Sequence, residues 1–303
     1  MDVRSLVRSL DRLSPVLAAA ATYPGYISAG RRLPVRSRDR ATHDDARRRV
    51  RDLGGHRVVV YEWGAGPRAV LIVHGWRGRA SQFGAIIREM LFAGYRVVAF
   101  DAPASGDSPG RRTHVGEYRR IIDALAQEED GGSFHAVVAH SAGALAALTA
   151  VADGGISRRM VAIAPVVRYS ALSEAFARGA GLGEKARIRQ EGWFTRRLRR
   201  DGVDAASYDM LVRELPEGLR IRIVHDARDG WSEVGESRRL AERHPGRVDV
   251  TETTGLGHTR ILEADVTLDT VLEAVGAVTV ARGETTRSGA SAASPAGSER
   301  PAA

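Results

Sequence analysis

The chain has 303 residues, 43% of them hydrophobic, and no cysteine, which suits one large globular core and excludes disulfides, thiolate nucleophiles and cysteine metal sites. Its net charge of +8 sits mostly at the start, where residues 1–52 hold twelve arginines against six aspartates. Lys185 is the only lysine, so the basicity looks like a coding bias rather than a phosphate-binding face, which argues against nucleic acid and membrane as partners; arginine-mediated binding of the N-terminal arm to nucleic acid or anionic lipid, alongside catalysis, is the alternative.

Residues 1–52 form a charged, proline-interrupted arm, expected to wrap the body or stay mobile, with little to add to a core. Within it "RLSPVLAAAATY" follows three arginines and faintly resembles a signal peptide, but Asp11 and Pro15 weaken that reading. No apolar run reaches the roughly 20 residues of a membrane-spanning helix, so the expected location is cytoplasmic. From residue 53 to 281, β-branched runs alternate with amphipathic ones, as in strands and helices wound about a mostly parallel sheet. The strands fall at 57–62, 69–73, 96–100, 136–139, 160–164, 220–225 and 247–251. Apolar residues at three and four spacing place helices at 81–94, 116–129, 143–152, 232–244 and 261–278. Residues 167–216 break the alternation with helical pattern alone and read as an inserted cap. The tail at 282–303 is small, polar and proline-bearing, and is expected to be disordered.

Chemistry concentrates in "AHSAG". Ser141 stands between an apolar strand and a helix, flanked by small residues at 139 and 143, the form of a nucleophile elbow; a serine at a helix start can also serve as a cap. Downstream, "HDARD" puts Asp229 beyond a strand end and "GLGH" puts His258 on a glycine-flanked loop. Serine, acid and histidine in that order, each after a separate strand, meet at one edge of a parallel sheet. Asp226 rivals Asp229 as the acid, although its place nearer the strand end suits a turn-holding role, and Glu233 ranks third. In "VHGWRG", Gly75 lets the backbone turn, so the N–H groups of Trp76 and Ala142 are the expected oxyanion donors. His74 reads as a hydrogen-bonding residue beneath that loop. The nine histidines show no HExxH or similar spacing, so no metal is expected.

Together "HGWRG", "DAPASGDSPG", "AHSAG", "HDARD" and "GLGH" resemble the α/β-hydrolase family over residues 61–278. The resemblance implies an α/β fold, with a mostly parallel eight-stranded sheet, helices on both faces and a small helical cap, and hydrolysis through an acyl-serine without a cofactor. Two departures stand out: Ala139 replaces the elbow's usual first glycine, and Ala104-Ser105 stand where many members have glycine and histidine, altering Ser105 near the substrate entrance. A serine nucleophile sets aside the epoxide-hydrolase and haloalkane-dehalogenase branches. Within the cap, Trp193 and Phe194 lie among seven basic residues of 185–200. They form either an apolar acyl slot with a cationic rim or a helix face packed on the body.

The expected activity is a serine hydrolase acting on small-molecule carboxylic esters, with Ser141 as nucleophile, His258 as base and Asp229 as orienting acid. Thioester hydrolysis, acyl transfer and cofactor-free perhydrolysis use the same groups, and a noncatalytic binding protein on the same fold is the alternative from another class. Oligomeric state is open.

Overall fold

The computed structural model describes residues 2–276. The segment 282–303, expected as a tail, and the last residues of the final predicted helix lie outside that range. In chain order the elements are α1 (Val3–Leu13), α2 (Pro15–Tyr26), α3 (Arg40–Asp44), β1 (Arg47–Leu53), β2 (His56–Trp63), β3 (Ala69–Val73), α4 (Gly84–Phe92), β4 (Arg96–Asp101) and α5 (Val115–Gln127). They continue with β5 (Ala136–His140), α6 (Ser141–Ala152), β6 (Arg159–Ile163), α7 (Tyr169–Ala180), α8 (Glu184–Arg200), β7 (Arg220–Asp226), α9 (Val234–Arg243), β8 (Val248–Thr253), α10 (Gly257–Arg260) and α11 (Asp265–Val275).

One eight-stranded sheet runs in the order β1-β2-β4-β3-β5-β6-β7-β8. The β1–β2 and β2–β4 pairs are antiparallel and all the others parallel. Every residue of β3 and β5 is buried, because strands covered on both faces must be apolar along their whole length. One face packs α5, α6 and α9 through residues such as Tyr118, Leu145 and Leu240. The other packs α4 and α11 through Ile86, Met90 and Val271.

The first strand corrects the sequence reading, which assigned residues 47–52 to the arm. "RRRVRDL" shows almost no hydrophobic alternation because β1 is an edge strand with only Leu53 buried. It is held by full antiparallel register with β2, from Arg47 opposite Glu62 to Leu53 opposite His56. The hairpin signal is Gly54-Gly55, both at positive φ (56° and 82°), as a two-residue turn matched to strand twist requires. Arginines along such an edge also oppose pairing with another chain.

Ahead of β1 the chain is structured. Asp2 caps α1 by accepting the N–H of Ser5 (2.7 Å), and Ser14 caps α2 with Pro15 in its first turn, where a missing N–H costs nothing. The two helices lie on the cap formed by α7 and α8. Ala18 and Ala19 pack on Ala186, the Gly183 N–H donates to Asp11 (2.8 Å), and the hydroxyls of Tyr26 and Tyr169 are 2.8 Å apart.

Candidate active site

Four loops follow the carboxyl ends of β3, β5, β7 and β8, so parallel winding brings them to one edge of the sheet. At the end of β5 the backbone turns straight into α6 with Ser141 at φ 54°. That left-handed conformation is costly for a residue with a Cβ and persists where its surroundings fix it. The Val166 N–H donates to the Ser141 carbonyl (3.2 Å). The turn closes only because Gly143 has no side chain: a Cβ there would lie 2.1 Å from the His74 carbonyl oxygen. Gly75 is equally constrained, since its Cβ would stand 2.8 Å from that of Ser141.

Ser141, His258 and Asp229 are brought into one hydrogen-bonded line. The Ser141 hydroxyl lies 2.9 Å from His258 Nε2, and Nδ1 of the same ring lies 2.7 Å from Asp229 Oδ2. An ionised carboxylate can only accept, so Nδ1 carries the proton and Nε2 is free to accept from the serine. The Asp229 side chain has no solvent exposure, whereas that of His258 is 16% exposed. Burial alone raises the Asp229 carboxyl pKa, but hydrogen bonds from His225 and His258, the charge of His258 and the Trp231 N–H outweigh it and hold the group below the ordinary range. Ser232 adds its hydroxyl (3.1 Å) and its N–H (3.2 Å).

Asp226 sits apart from this line. Its buried carboxylate accepts the N–H groups of Arg228 (2.9 Å) and Leu256 (2.7 Å) and the hydroxyl of Thr253 (3.0 Å), tying the loop after β7 to the loop that carries His258. Glu233 instead pairs with Arg178 of the cap (3.2 Å).

The loop after β3 is a tight turn in which the Gly78 N–H donates to the Gly75 carbonyl (2.9 Å), with Arg77 at φ 57°. Trp76 is half-buried and Ala142 buried. Beneath them, buried His74 accepts the Ala102 N–H at Nε2 (2.9 Å) and therefore donates from Nδ1 to Gly75 O (2.8 Å). Burial lowers its pKa, so the ring is a neutral brace.

Ser105, expected beside the entrance, is only 3% exposed. Its N–H donates to Ala102 O and its carbonyl accepts from Ser108 (both 2.9 Å), a tight fold that turns the residue inward. Phe194 is buried and stacks on Tyr169, with ring centroids 5.7 Å apart, while meeting Tyr26 edge-on at 5.2 Å. Trp193 meets Tyr23 edge-on at 5.7 Å. The ring contacts of this pair therefore run to the N-terminal helices, to Tyr169 of the cap and, for Phe194, to His114 ahead of α5 (6.2 Å), rather than to Ser141 or His258.

Two residues without a sequence signal complete the site. His140 is buried, donates from Nε2 to the His258 carbonyl (2.8 Å), and stands with its ring 4.7 Å from that of His258. Burial first, and the charge of His258 second, push its pKa down to about 3. Trp231 is 63% exposed and its ring lies 6.4 Å from that of His258. Among the described residues no group of three or more His, Asp or Glu is placed to hold a metal ion.

Residues 70–283 match the sequence profile of the alpha/beta hydrolase family. The chain belongs to that family. Alpha/beta hydrolases of known structure resemble it at low identity. The Pyrococcus furiosus esterase Pf2001 is 19% identical, with 81% of this chain and 98% of that one aligned and a TM-score of 0.61. A Paleococcus ferrophilus monoacylglycerol lipase is 20% identical, covering 72% and 98%, with a TM-score of 0.53. The Vigna radiata epoxide hydrolase VrEH1 is 16% identical, covering 76% and 97%, with a TM-score of 0.52. At these identities the likeness is one of fold, which this hydrolase shares with enzymes of different bond preference. No curated protein matches the chain.

Proposed function

We propose that this hydrolase cleaves carboxylic esters through an acyl-serine intermediate. The observation that carries the reading is the unbroken line Asp229–His258–Ser141, with contacts of 2.7 and 2.9 Å. Ser141 Oγ attacks the ester carbonyl carbon as its proton passes to His258 Nε2, and buried Asp229 holds the tautomer and stabilises the imidazolium. The oxyanion is received by the N–H groups of Trp76 and Ala142, each worth about 3 kcal/mol of transition-state stabilisation. The tetrahedral intermediate collapses as the C–O bond to the alcohol breaks and His258 returns the proton to the leaving oxygen. Water then attacks the acyl carbon with His258 as base and regenerates the serine.

The tight turn at Gly75 supports the oxyanion assignment, because it packs Gly75, the residue bonded to the Trp76 nitrogen, against the serine. A serine at the elbow also speaks against the aspartyl-ester route to epoxide opening. The test is covalent labelling by a fluorophosphonate, comparing the natural protein with Ser141→Ala, followed by an ester-length series and an acyl-CoA series. Labelling of the natural protein alone, with turnover of aryl esters, is expected. Equal labelling of both proteins would remove the nucleophile, and turnover of acyl-CoA without simple esters would move the activity to thioesters.

A further inference from the structure

The N-terminal helices expose an apolar face that the fold leaves uncovered. Leu13 is 83% exposed, Leu17 57% and Leu6 55%, with Val3 and Val16 also exposed. The α2 segment, PVLAAAATYPGY, carries no charged residue, and only its other side, through Ala18, Ala19 and Tyr26, is buried. Burying such side chains ordinarily stabilises a protein by 1.5–3 kcal/mol each, and a contiguous exposed patch marks a contact surface.

The helices that carry and support this face are cationic. Arg8 and Arg12 are exposed on α1, on its polar side. The α8 helix, which packs on the buried side of α2, presents Lys185, Arg189 and Arg196 next to Trp193, the residue that touches Tyr23 of α2. The nearby acids are engaged: Asp2 caps α1, Asp11 accepts from Gly183, and Glu184 pairs with Arg187.

We propose that the α1–α2 hairpin is a docking surface for an anionic lipid bilayer. Leucine and valine side chains would enter the headgroup boundary and the exposed arginines of the polar side would reach lipid phosphates, the composition of an interfacial helix. A second copy of the chain fits the face less well, because it would bring the same set of exposed cations together with no matching acids among the described residues there. Insertion is confined to the interface, since no helix among the described residues is long and apolar enough to cross a membrane. The hairpin is tied to the cap through Tyr26 and Tyr169, and to the turn beside Ser141 through Arg77, which donates to Gly25 O (3.3 Å) and Ser28 O (3.4 Å). Docking would thus hold the cap and the site's mouth at the bilayer. The sequence reading weighed against membrane because nearly all the positive charge is arginine and no apolar run reaches spanning length; neither ground bears on a leucine-lined helix face left exposed at an interface.

The experiment is co-sedimentation of the full chain with vesicles of phosphatidylcholine alone and of phosphatidylcholine mixed equally with phosphatidylglycerol, at low and high salt. The protein is expected to pellet with the anionic vesicles and to be released by salt. Substituting Leu6→Glu, Leu13→Glu and Leu17→Glu together lowers partitioning at least about tenfold, and Arg8→Glu with Arg12→Glu does so without touching the apolar face. Circular dichroism of each variant shows that the fold is kept; should the leucine variant misfold, the arginine variant decides. Failure to pellet with either vesicle, equal binding to both, or undiminished binding of well-folded variants overturns the proposal. So does a dimer in sedimentation velocity that the leucine substitutions dissolve without any vesicle binding, which would assign the face to a second copy.

Discussion

The loop edge around Ser141 and the helical cover of α1, α2, α7 and α8 are built on opposite principles. At the loop edge directional hydrogen bonds fix Ser141, His258 and Asp229, and two glycines sit where one extra carbon would collide with a neighbour. The cover is joined largely by interlocking rings and small residues, as where Phe194 meets Tyr26, Tyr169 and His114. The first tolerates almost no chemical change at fixed shape. The second tolerates changes of chemistry better than losses of volume, because dispersion and burial scale with filled space.

Removing one charge while keeping shape at the loop edge gives the largest effect. Asp229→Asn should lower kcat for an aryl ester by about 10⁴-fold, through the wrong His258 tautomer, with little change in thermal midpoint. A loss below tenfold would mean that Asp229 does not orient the ring. In the cover, loss of volume is what matters. Phe194→Ala should cost about 3–5 kcal/mol in urea unfolding, while folded protein at low temperature still reacts with fluorophosphonate; abolished labelling would show that the cover helps to build the site.

Asp226→Asn sharpens the contrast within one loop. The buried carboxylate holds two N–H groups and a hydroxyl, so its neutralisation should cost about 1–3 kcal/mol of stability and reduce kcat far less than the change at 229. Reversed outcomes at the two positions would exchange their roles.

Near neutral pH the smallest effect is a slope, which grows only as pH falls. His140 is neutral in the fold because its pKa is depressed from 6.5 to about 3. Below pH 6.5 the unfolded chain therefore binds a proton that the native one refuses, and stability falls as pH drops through that window, by about 1.4 kcal/mol per pH unit for one such group. His74, lowered in the same direction, adds to it. The depressed Asp229 carboxyl acts at lower pH: its contribution is complete above the unfolded carboxylate range and is lost as pH falls below it. His140→Gln, which keeps a donor for the His258 carbonyl, should flatten the slope between pH 6.5 and pH 3 by one proton; an unchanged slope in urea titrations would show that His140 titrates normally.

Most of the parallel core was legible in the sequence. Strands such as 69–73 and 96–101 are short, β-branched and bounded by loops, and they fall within a residue or two of expectation. The strand at 47–53 was not legible, because an exposed edge has no buried face to impose a pattern. Ser141, Asp229 and His258 were singled out because chain order and glycine flanks constrain such loops. The places of Ser105, His140 and Trp231 were hidden, since inward, bracing and exposed positions on a loop leave no period.

The sequence by itself determined which stretches alternate, where the chain must turn sharply, and which three side chains could share one chemistry, because these are set by local spacing and by residues that alone can occupy a strained backbone. Only the tertiary structure decided which of two aspartates faces the imidazole, that Phe194 and Trp193 are bound up with the N-terminal helices, and that one leucine-lined face stays uncovered. Those outcomes depend on contacts between segments more than a hundred residues apart or on a few degrees of loop direction, and neither is encoded in any short window of sequence.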